Sequence, residues 1–364
     1  MIRKSVLCTY LWLAMAMLAL GQDTQQNMQK CQSGSPDARI TSCTALIQAG
    51  LLTTLQTGLF LPERRSVVYN NRGVAYTDKG DYERAIRDYN DAIHLNPNSV
   101  GTFYSRGYAY KKKGDYDRAI QDFNEALRLD PHFELAYYER GNSYINKGEY
   151  DRAIQDFNQA IRLNPNDANA YNNRGVAYHR KGDYGDAIQN YNQAILLNSN
   201  YTSAYTSRGL AYFTQSNLTA AIADFEHTIS AAPSSSAALT AALMLHVIMK
   251  RQGHDDSQQL ARVAAAADLS KWPGPVLKLD LGQATANEVM VAAASSGTDK
   301  QKKWQVCAAN YFTGEDALIH RQRTTALARL KTARDGCPTK GGDTDYALAL
   351  AELKRLGAPV ARGK

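Results

Sequence analysis

Small and apolar residues in the middle of the chain recur with the spacing of an amphipathic helix. Between residues 82 and 95 they stand at i, i+3 and i+4 intervals, which places them on one face of a helix. They are Ala85, Ile86, Tyr89, Ala92 and Ile93. The preceding stretch, residues 69–79, has a similar face, and Gly80 and Pro97 stand where each helix would end. The pattern predicts helices over 69–79 and 82–95, joined by a tight turn.

This pair of helices is repeated along the chain with a fixed period. The hexapeptide NRGVAY occupies residues 71–76 and again 173–178, a separation of three times 34 residues. A shift of 34 residues aligns one glycine in five successive units: Gly73, Gly107, Gly141, Gly175 and Gly209. Tyrosine, alanine and aromatic positions align in the same way. A fixed period of this length predicts stacked repeats rather than a single globular core.

The aligned positions resemble the tetratricopeptide repeat, which has an aromatic residue, glycine, tyrosine, alanine and proline at these offsets. The resemblance implies an all-α fold, a right-handed α-solenoid of helix–turn–helix repeats with a helical C-terminal region. The five repeats are 66–99, 100–133, 134–167, 168–201 and 202–235. The fifth departs from the pattern at its turn, with Ser216 in place of the glycine and Leu218 in place of the tyrosine.

The first residues have the pattern of a secretory signal peptide. Arg3 and Lys4 precede an apolar stretch over Val6–Leu20, and small residues favour cleavage after residue 21. The next residue is Gln22 rather than the lipid-modified cysteine of a lipoprotein. We therefore expect export to the periplasm as a soluble protein, with no membrane span in the mature chain.

The regions on either side of the repeats are also predicted to be helical. Residues 22–65 hold a helix over 36–56 and a connection to the first repeat. Residues 236–357 form a C-terminal region with helices over 236–251, 257–267, 285–294 and 345–356, and a degenerate repeat-like hairpin over 302–338. The tail, residues 358–364, is expected to be loose.

The cysteines fit an oxidising compartment. Cys8 leaves with the signal peptide, and an even number remains: Cys31, Cys43, Cys307 and Cys337. The sequence allows three pairings, of which proximity along the chain favours Cys31–Cys43 and Cys307–Cys337.

The C-terminal region sharpens the family resemblance. In order it contains KWP, LGQATANEVM, ANYFTGE, an alanine-rich helix and YALALAELKRLG. This order resembles the NlpI-type envelope lipoproteins of bacteria, which also carry tetratricopeptide repeats. The resemblance implies an adaptor that forms a homodimer and presents protein partners such as envelope proteases or cell-wall hydrolases. The missing lipid-anchor cysteine departs from that family.

Nothing in the sequence points to an enzyme. The seven histidines are scattered, and the zinc-protease, serine-hydrolase and Walker motifs do not occur. We expect no catalytic residues, no metal and no cofactor. The net charge is +7, but acidic residues interleave the basic ones on the same helices, as in DYERAIRD. A solvated, salt-bridged surface explains this pattern better than a nucleic-acid partner.

The candidate binding site comes from the tetratricopeptide resemblance, in which the first helices of successive repeats line a concave groove. The residues around each Arg-Gly pair face it. They are Asn70, Asn71, Tyr104, Ser105, Tyr108, Tyr138, Glu139, Asn142, Asn172 and Asn173. Asparagine can both donate to and accept from a peptide backbone, and tyrosine offers flat apolar area with a polar tip. This lining suits an extended peptide.

A second pattern predicts contacts that hold the repeats together. The arginine before each of the aligned glycines is followed sixteen residues later by Asp88, Asp122, Asp156, Asn190 or Asp224. We expect arginine–carboxylate pairs between the two helices of a repeat or between neighbouring repeats, weakest in the repeat that has Asn190.

Two functions fit the sequence. The first is a non-enzymatic periplasmic adaptor that holds protein or peptide partners in the groove. The alternative is a structural subunit of an envelope assembly or secretion machine, docked through another surface.

Overall fold

The computed structural model describes residues 23, 25–50, 62–295, 297–337 and 344–358. All regular secondary structure in these residues is helical, which confirms the all-α fold class. The predicted signal peptide lies outside the described residues. The chain divides into two compact units between Lys147 and Gly148, so the two helices of the third repeat belong to different units.

The first unit consists of a pair of N-terminal helices and the first five repeat helices. They are α1 (25–33), α2 (Pro36–Gly50), α3 (Pro62–Asp78), α4 (Tyr82–Leu95), α5 (Val100–Lys113), α6 (Tyr116–Leu129) and α7 (Glu134–Lys147). Residues 51–56, which were predicted to continue α2, lie outside the described residues.

The first repeat helix starts earlier than the predicted residue 69. Residues 62–65, assigned above to the connection, and residues 66–68, placed ahead of the predicted helix, are helical because two of these side chains have buried partners. Ser66 donates its hydroxyl to the carbonyl oxygen of Ala92 on α4, 2.9 Å away. Val68 is 1% exposed and packs with Cys43 and Leu46 of α2.

The first, fourth and fifth repeats each have a close contact between their two helices at an aligned glycine. A Cβ atom at Gly73 would lie 2.7 Å from Cε1 of the buried Tyr89 ring, closer than real atoms approach. The glycine therefore lets the aromatic ring of the second helix lie directly on the first helix. The same arrangement recurs at Gly175 and at Gly209.

The turn inside each repeat also follows from the sequence. Gly80 has a φ of 77°, a left-handed conformation that glycine adopts without strain. Asp81 then accepts a hydrogen bond from the backbone N–H of Arg84 and caps α4. In the fifth repeat Ser216 adopts the left-handed conformation in place of glycine, with a φ of 62°.

The N-terminal helices are joined by a disulfide and cover the start of the array. Cys31 and Cys43 are at disulfide distance, with Cα atoms 5.0 Å apart. α2 packs on α3, and Arg72 donates a hydrogen bond to the Thr44 hydroxyl at 3.1 Å. α2 therefore occupies the place that the second helix of a preceding repeat would take.

The second unit continues the repeats and then forms a larger helical core. Its helices are α8 (Tyr150–Leu163), α9 (Ala168–Lys181), α10 (Tyr184–Leu197), α11 (Thr202–Thr214), α12 (Leu218–Ala231), α13 (Ser236–Arg251), α14 (Ser257–Ala266), α15 (Gly274–Asp280), α16 (Ala286–Ser295), α17 (Asp299–Ile319), α18 (Arg323–Gly336) and α19 (Thr344–Arg355). The short helix α15 was not predicted, because the sequence KWPGP reads as a break. It follows a cis peptide bond between Trp272 and Pro273.

The core of this C-terminal region is centred on α13. Residues 241–248 of this helix are all buried. Arg251 at its end donates from one nitrogen to Glu315 on α17 at 2.6 Å and to Glu352 on α19 at 2.7 Å, so one guanidinium joins three helices. The degenerate hairpin is present as α17 and α18, and the Cα atoms of Cys307 and Cys337 are 5.3 Å apart.

Candidate functional site

The predicted lining residues of the first unit lie on three neighbouring helices, α3, α5 and α7. The rings of Tyr104 and Tyr108 stack with centroids 6.4 Å apart. Tyr104 also packs against Phe133 at 5.1 Å and Phe123 at 5.9 Å. Tyr104 is therefore partly a packing residue, while Tyr108 presents its ring beside it.

A small cavity opens between the first helices of repeats one and two. Its volume is about 170 Å³, and predicted groove residues form one of its walls. These are Tyr104, Ser105 and Tyr108 on α5. Val74 and Thr77 on α3 form part of the opposite wall. The cavity is thus a shallow amphipathic recess in the predicted groove.

Glu139, one of the predicted groove residues, has partners within the protein. The residue is 8% exposed, and its carboxylate is ion-paired with the ammonium of Lys111. Asn142 also donates to that carboxylate, at 3.4 Å. Glu139 is therefore committed to positioning Lys111 and Asn142 rather than free for a ligand.

Lys111 and Lys112 were not among the predicted lining residues. Their ammonium groups lie 4.7 Å and 5.3 Å from the centroid of the Tyr108 ring, in cation–π contact. Lys111 follows Tyr108 by three residues, so it lies on the same face of α5, and the helical spacing could have predicted it. The charge of Lys111 is paired with Glu139, and the recess itself is lined by the acidic Asp78.

The predicted groove asparagines differ in their burial. Asn172 in the second unit is 6% exposed, and its amide donates to the Oδ1 atom of Asn173 at 3.0 Å. Asn172 is therefore buried by its neighbours and serves to orient Asn173. Asn70 and Asn71 are half-buried, and the backbone carbonyl of Asn71 accepts a hydrogen bond from Arg39. Tyr138 is half-buried on α7.

The predicted arginine–carboxylate pairs are present within repeats one, two and five. In each, the Nε and Nη2 atoms of one arginine donate to the two oxygens of one aspartate, over 2.6–2.8 Å. The pairs are Arg72–Asp88, Arg106–Asp122 and Arg208–Asp224. Bidentate pairs of this kind fix the relative orientation of the two helices.

The fourth repeat has the weaker contact that its sequence predicts. Only Nε of Arg174 donates to Asn190, at 2.7 Å, and the amide of Asn190 donates to the carbonyl oxygen of Asp186. Burial lowers the pKa of Arg174, whereas hydrogen bonds to Asp88 and Asp224 raise the pKa of Arg72 and Arg208. The guanidinium of Arg174 is thus buried without a compensating carboxylate.

The same arginines also connect neighbouring repeats, through partners that sequence reasoning missed. The Nη1 atom of each donates to an asparagine on the second helix of the preceding repeat, over 2.6–2.7 Å. The pairs are Arg106–Asn90, Arg140–Asn124, Arg174–Asn158 and Arg208–Asn192. The asparagine column repeats every 34 residues, so the sequence held the signal.

Exposed ion pairs form a second connection between repeats. Lys113, Lys147 and Lys181 each reach an acidic residue at the start of the second helix of the preceding repeat, over 2.7–3.0 Å. Because these side chains are largely exposed, each pair contributes at most about 1 kcal/mol and less in salt. The buried arginines therefore carry the main polar coupling.

In the part of the chain that the structure describes, no helix combines the length and the apolar character needed to cross a membrane.

Comparison with known proteins identifies the repeats. A model described as "TPR repeat" matches residues 73–114, 141–182 and 177–216. Models described as "Tetratricopeptide repeat" match residues 101–133, 123–155 and 202–235. The comparison with curated proteins gave no match.

Several solved structures resemble part of the chain. A crystal structure of MamA is 31% identical, covering 44% of this chain and 93% of its own, with a TM-score of 0.42. MamA from Desulfovibrio magneticus RS-1 is 23% identical, covering 46% of this chain and 94% of its own, with a TM-score of 0.44. YrrB, described as a TPR protein with an unusual peptide-binding site, is 21% identical, covering 54% of this chain and 97% of its own, with a TM-score of 0.44.

The family models together span residues 73–235 without a gap, and the structure there consists of the paired helices that such repeats form. The chain is therefore a tetratricopeptide repeat protein.

Proposed function

We propose that this protein is a non-enzymatic adaptor of the bacterial envelope that binds an extended peptide segment of a partner protein on the first helices of its repeats. The carrying observation is the recess between α3 and α5, where predicted groove residues form a wall of a preformed cavity. A preformed site avoids part of the ordering cost that a flexible binder meets.

The chemistry of the recess suits a peptide. Tyr108 offers an apolar ring, and Ser105 and Thr77 offer hydroxyl groups. The lining also includes the acidic Asp78, and Lys112 lies beside the Tyr108 ring, while the charge of Lys111 is paired with Glu139. Apolar side chains of a ligand would contact the ring, and its backbone would meet the hydroxyl groups. We therefore expect a partner segment that places an aromatic or aliphatic residue among polar neighbours.

The two disulfide-distance cysteine pairs support an oxidising compartment, as the predicted signal peptide does. Envelope proteases and cell-wall hydrolases are the partner classes that the NlpI-type resemblance implies, and a homodimer is the oligomer that it implies.

Site-specific photocrosslinking in intact cells tests the adaptor. A photoreactive phenylalanine analogue is placed at Tyr108, which lines the recess, or at Tyr110, which does not. The two residues are a matched pair: both are half-buried tyrosines on α5, and each has a cation–π contact with a basic side chain. We expect a discrete crosslinked partner from position 108 and none of that mass from position 110.

The outcome separates the two candidate functions. A protease or wall hydrolase captured at position 108 supports the adaptor. Equal capture at both positions, or capture at position 110 alone, would contradict binding in the recess. Recovery of barrel-assembly or secretion components in that pattern would instead favour the structural-subunit function.

A further inference from the structure

The second unit contains a larger cavity, of about 370 Å³, where the fifth repeat meets the C-terminal helices. One wall is formed by Thr206, Ser207 and Leu210 of α11. Trp272, Trp304 and Phe312 from the C-terminal region lie among the residues that complete it. Its volume falls within the range of about 300–1,000 Å³ that is usual for ligand pockets.

The wall on α11 belongs to the same face as the predicted groove. Thr206 and Ser207 stand 34 residues after Asn172 and Asn173, so they occupy the groove positions of the fifth repeat. In this repeat, however, the face is not left open, because α13, α17 and α19 also contribute to the cavity. The C-terminal region thus partly covers the groove face of the last repeat and leaves an open recess.

The chemistry of this cavity differs from that of the recess between α3 and α5. None of the described residues that line it carries a charge. Apolar side chains predominate, and the exposed hydroxyls of Ser203 and Ser236 contribute polar groups. An uncharged lining of this kind selects against acidic and basic groups, because a charge would lose its hydration without gaining a partner.

A tryptophan of the lining is unusually accessible. Trp304 is 40% exposed, one of few large apolar side chains with this exposure among the described residues. Partly exposed tryptophans beside an apolar cavity are frequent binding hot spots, since the indole supplies a large contact area and one hydrogen-bond donor. The position of the cavity on the groove face of a repeat favours a polypeptide as the ligand.

We propose that this cavity is an anchor site for one or two large apolar side chains in an uncharged segment of a partner polypeptide. The proposal rests on the proposed function, in that the segment belongs to a peptide held by the repeats. The hydroxyl groups would meet the peptide backbone while leucine, methionine or phenylalanine side chains enter between Trp272, Trp304 and Phe312.

The chain carries its own reporter for the test. Of its three tryptophans, Trp12 lies in the predicted signal peptide, and Trp272 and Trp304 both line the cavity. A library of random displayed dodecapeptides is selected on the full mature chain, and the enriched peptides are synthesised. Each is then titrated into the protein while tryptophan emission is recorded, with calorimetry as a second readout of affinity.

Three variants locate the binding. Trp304→Ala removes the accessible indole, and Thr240→Glu introduces a charge into the lining. Leu196→Ala is the control, since this side chain is 77% exposed and does not line the cavity. We expect enriched peptides with large apolar residues in an uncharged stretch, and a loss of affinity of about tenfold or more in the first two variants alone. Unchanged helical circular dichroism verifies that both variants fold.

The results that would overturn the anchor site are distinct from those that would overturn the groove. Peptides that bind Trp304→Ala and Thr240→Glu normally, but lose affinity in Tyr108→Ala, leave the groove in place and remove the anchor site. Peptides that lose affinity in Trp304→Ala but bind Tyr108→Ala normally support the anchor site and remove the groove. Binding of a dodecyl maltoside probe at the cavity, with no peptide affected by Trp304→Ala, would identify an acyl-chain site and contradict a polypeptide ligand.

Discussion

Replacing Asp122 tests whether the buried arginines hold the repeats together. Asp122 accepts two hydrogen bonds from Arg106, whose third contact is to Asn90 of the preceding repeat. The fourth repeat supplies a natural comparison, because Asn190 there accepts only one hydrogen bond from its arginine. Asp122→Asn should reproduce that weaker contact, whereas Asp122→Ala should leave the guanidinium without a hydrogen-bond acceptor in its own repeat.

The magnitude follows from burial. The Asp122 side chain is 6% exposed and the Arg106 side chain 19%. Removing one partner of a buried ion pair costs about 3–5 kcal/mol, and partial access of water to Arg106 lowers our expectation to about 2–4 kcal/mol for Asp122→Ala. Asp122→Asn keeps one acceptor and loses one charge-assisted hydrogen bond, so we expect about 1–2 kcal/mol.

Equilibrium urea unfolding followed by far-ultraviolet circular dichroism measures these free energies. The control is Asp117→Ala, because Asp117 lies on the same helix but is 75% exposed and pairs with the exposed Lys147. We expect that control to change the free energy of unfolding by less than about 1 kcal/mol. If Asp122→Ala stayed within about 0.5 kcal/mol of the wild type, or if Asn and Ala were equally costly, the coupling argument would fail.

Three further predictions follow from burial and packing. Burial and the nearby Arg180 lower the pKa of His179 to about 4 in the folded protein. As the pH falls, the unfolded chain therefore binds a proton at this histidine before the folded protein does, and the free energy of unfolding should fall by about 2 kcal/mol between pH 7 and pH 5. Unfolding curves of His179→Ile should lack this part of the pH dependence. Gly175→Ala should lower the free energy of unfolding by about 1–3 kcal/mol, because the added Cβ would lie 2.7 Å from Cε1 of Tyr191. Gly185→Ala has open space around it and should be neutral or slightly stabilising in the same urea unfolding experiment. Replacing the Cys307–Cys337 pair by serine should lower the free energy of unfolding by about 3 kcal/mol, measured against the oxidised protein; no loss would contradict the disulfide.

The repeat helices could be predicted closely because each carries its own local signals. The second helix of the first repeat runs from Tyr82 to Leu95, as its apolar spacing and the flanking Gly80 and Pro97 indicate. The start of α3 was missed because its first turns are stabilised by α4 and α2, which are distant in sequence. The helix α15 was missed because its seven residues follow a proline-rich break and pack into a core that local sequence does not show.

The sequence predicts which positions of each repeat face the groove, but it does not predict how deeply each side chain is buried. The period of 34 residues places Glu139 and Asn172 on the groove face, yet both are buried by partners on that face. Periodicity gives the direction of a side chain, while burial depends on the size and charge of its neighbours. The cavity beside Trp272 and Trp304 could not be predicted from the sequence, because its lining comes from helices far apart in the chain.

The asparagine partners of the repeat arginines bear on how an array of this kind can change length. An internal repeat carries both the arginine that donates to the preceding repeat and the asparagine that accepts from the following repeat. A tandem duplication or a loss of whole 34-residue units would therefore create a junction that already fits, with no compensating substitution. The two ends of the array differ. At its start, Thr44 of α2 accepts the hydrogen bond in place of an asparagine. At its end, Glu226 stands at the asparagine position of the fifth repeat, and Ala242 stands where the next arginine would be. Gene duplication could extend this protein internally, while its two termini fix where the array stops.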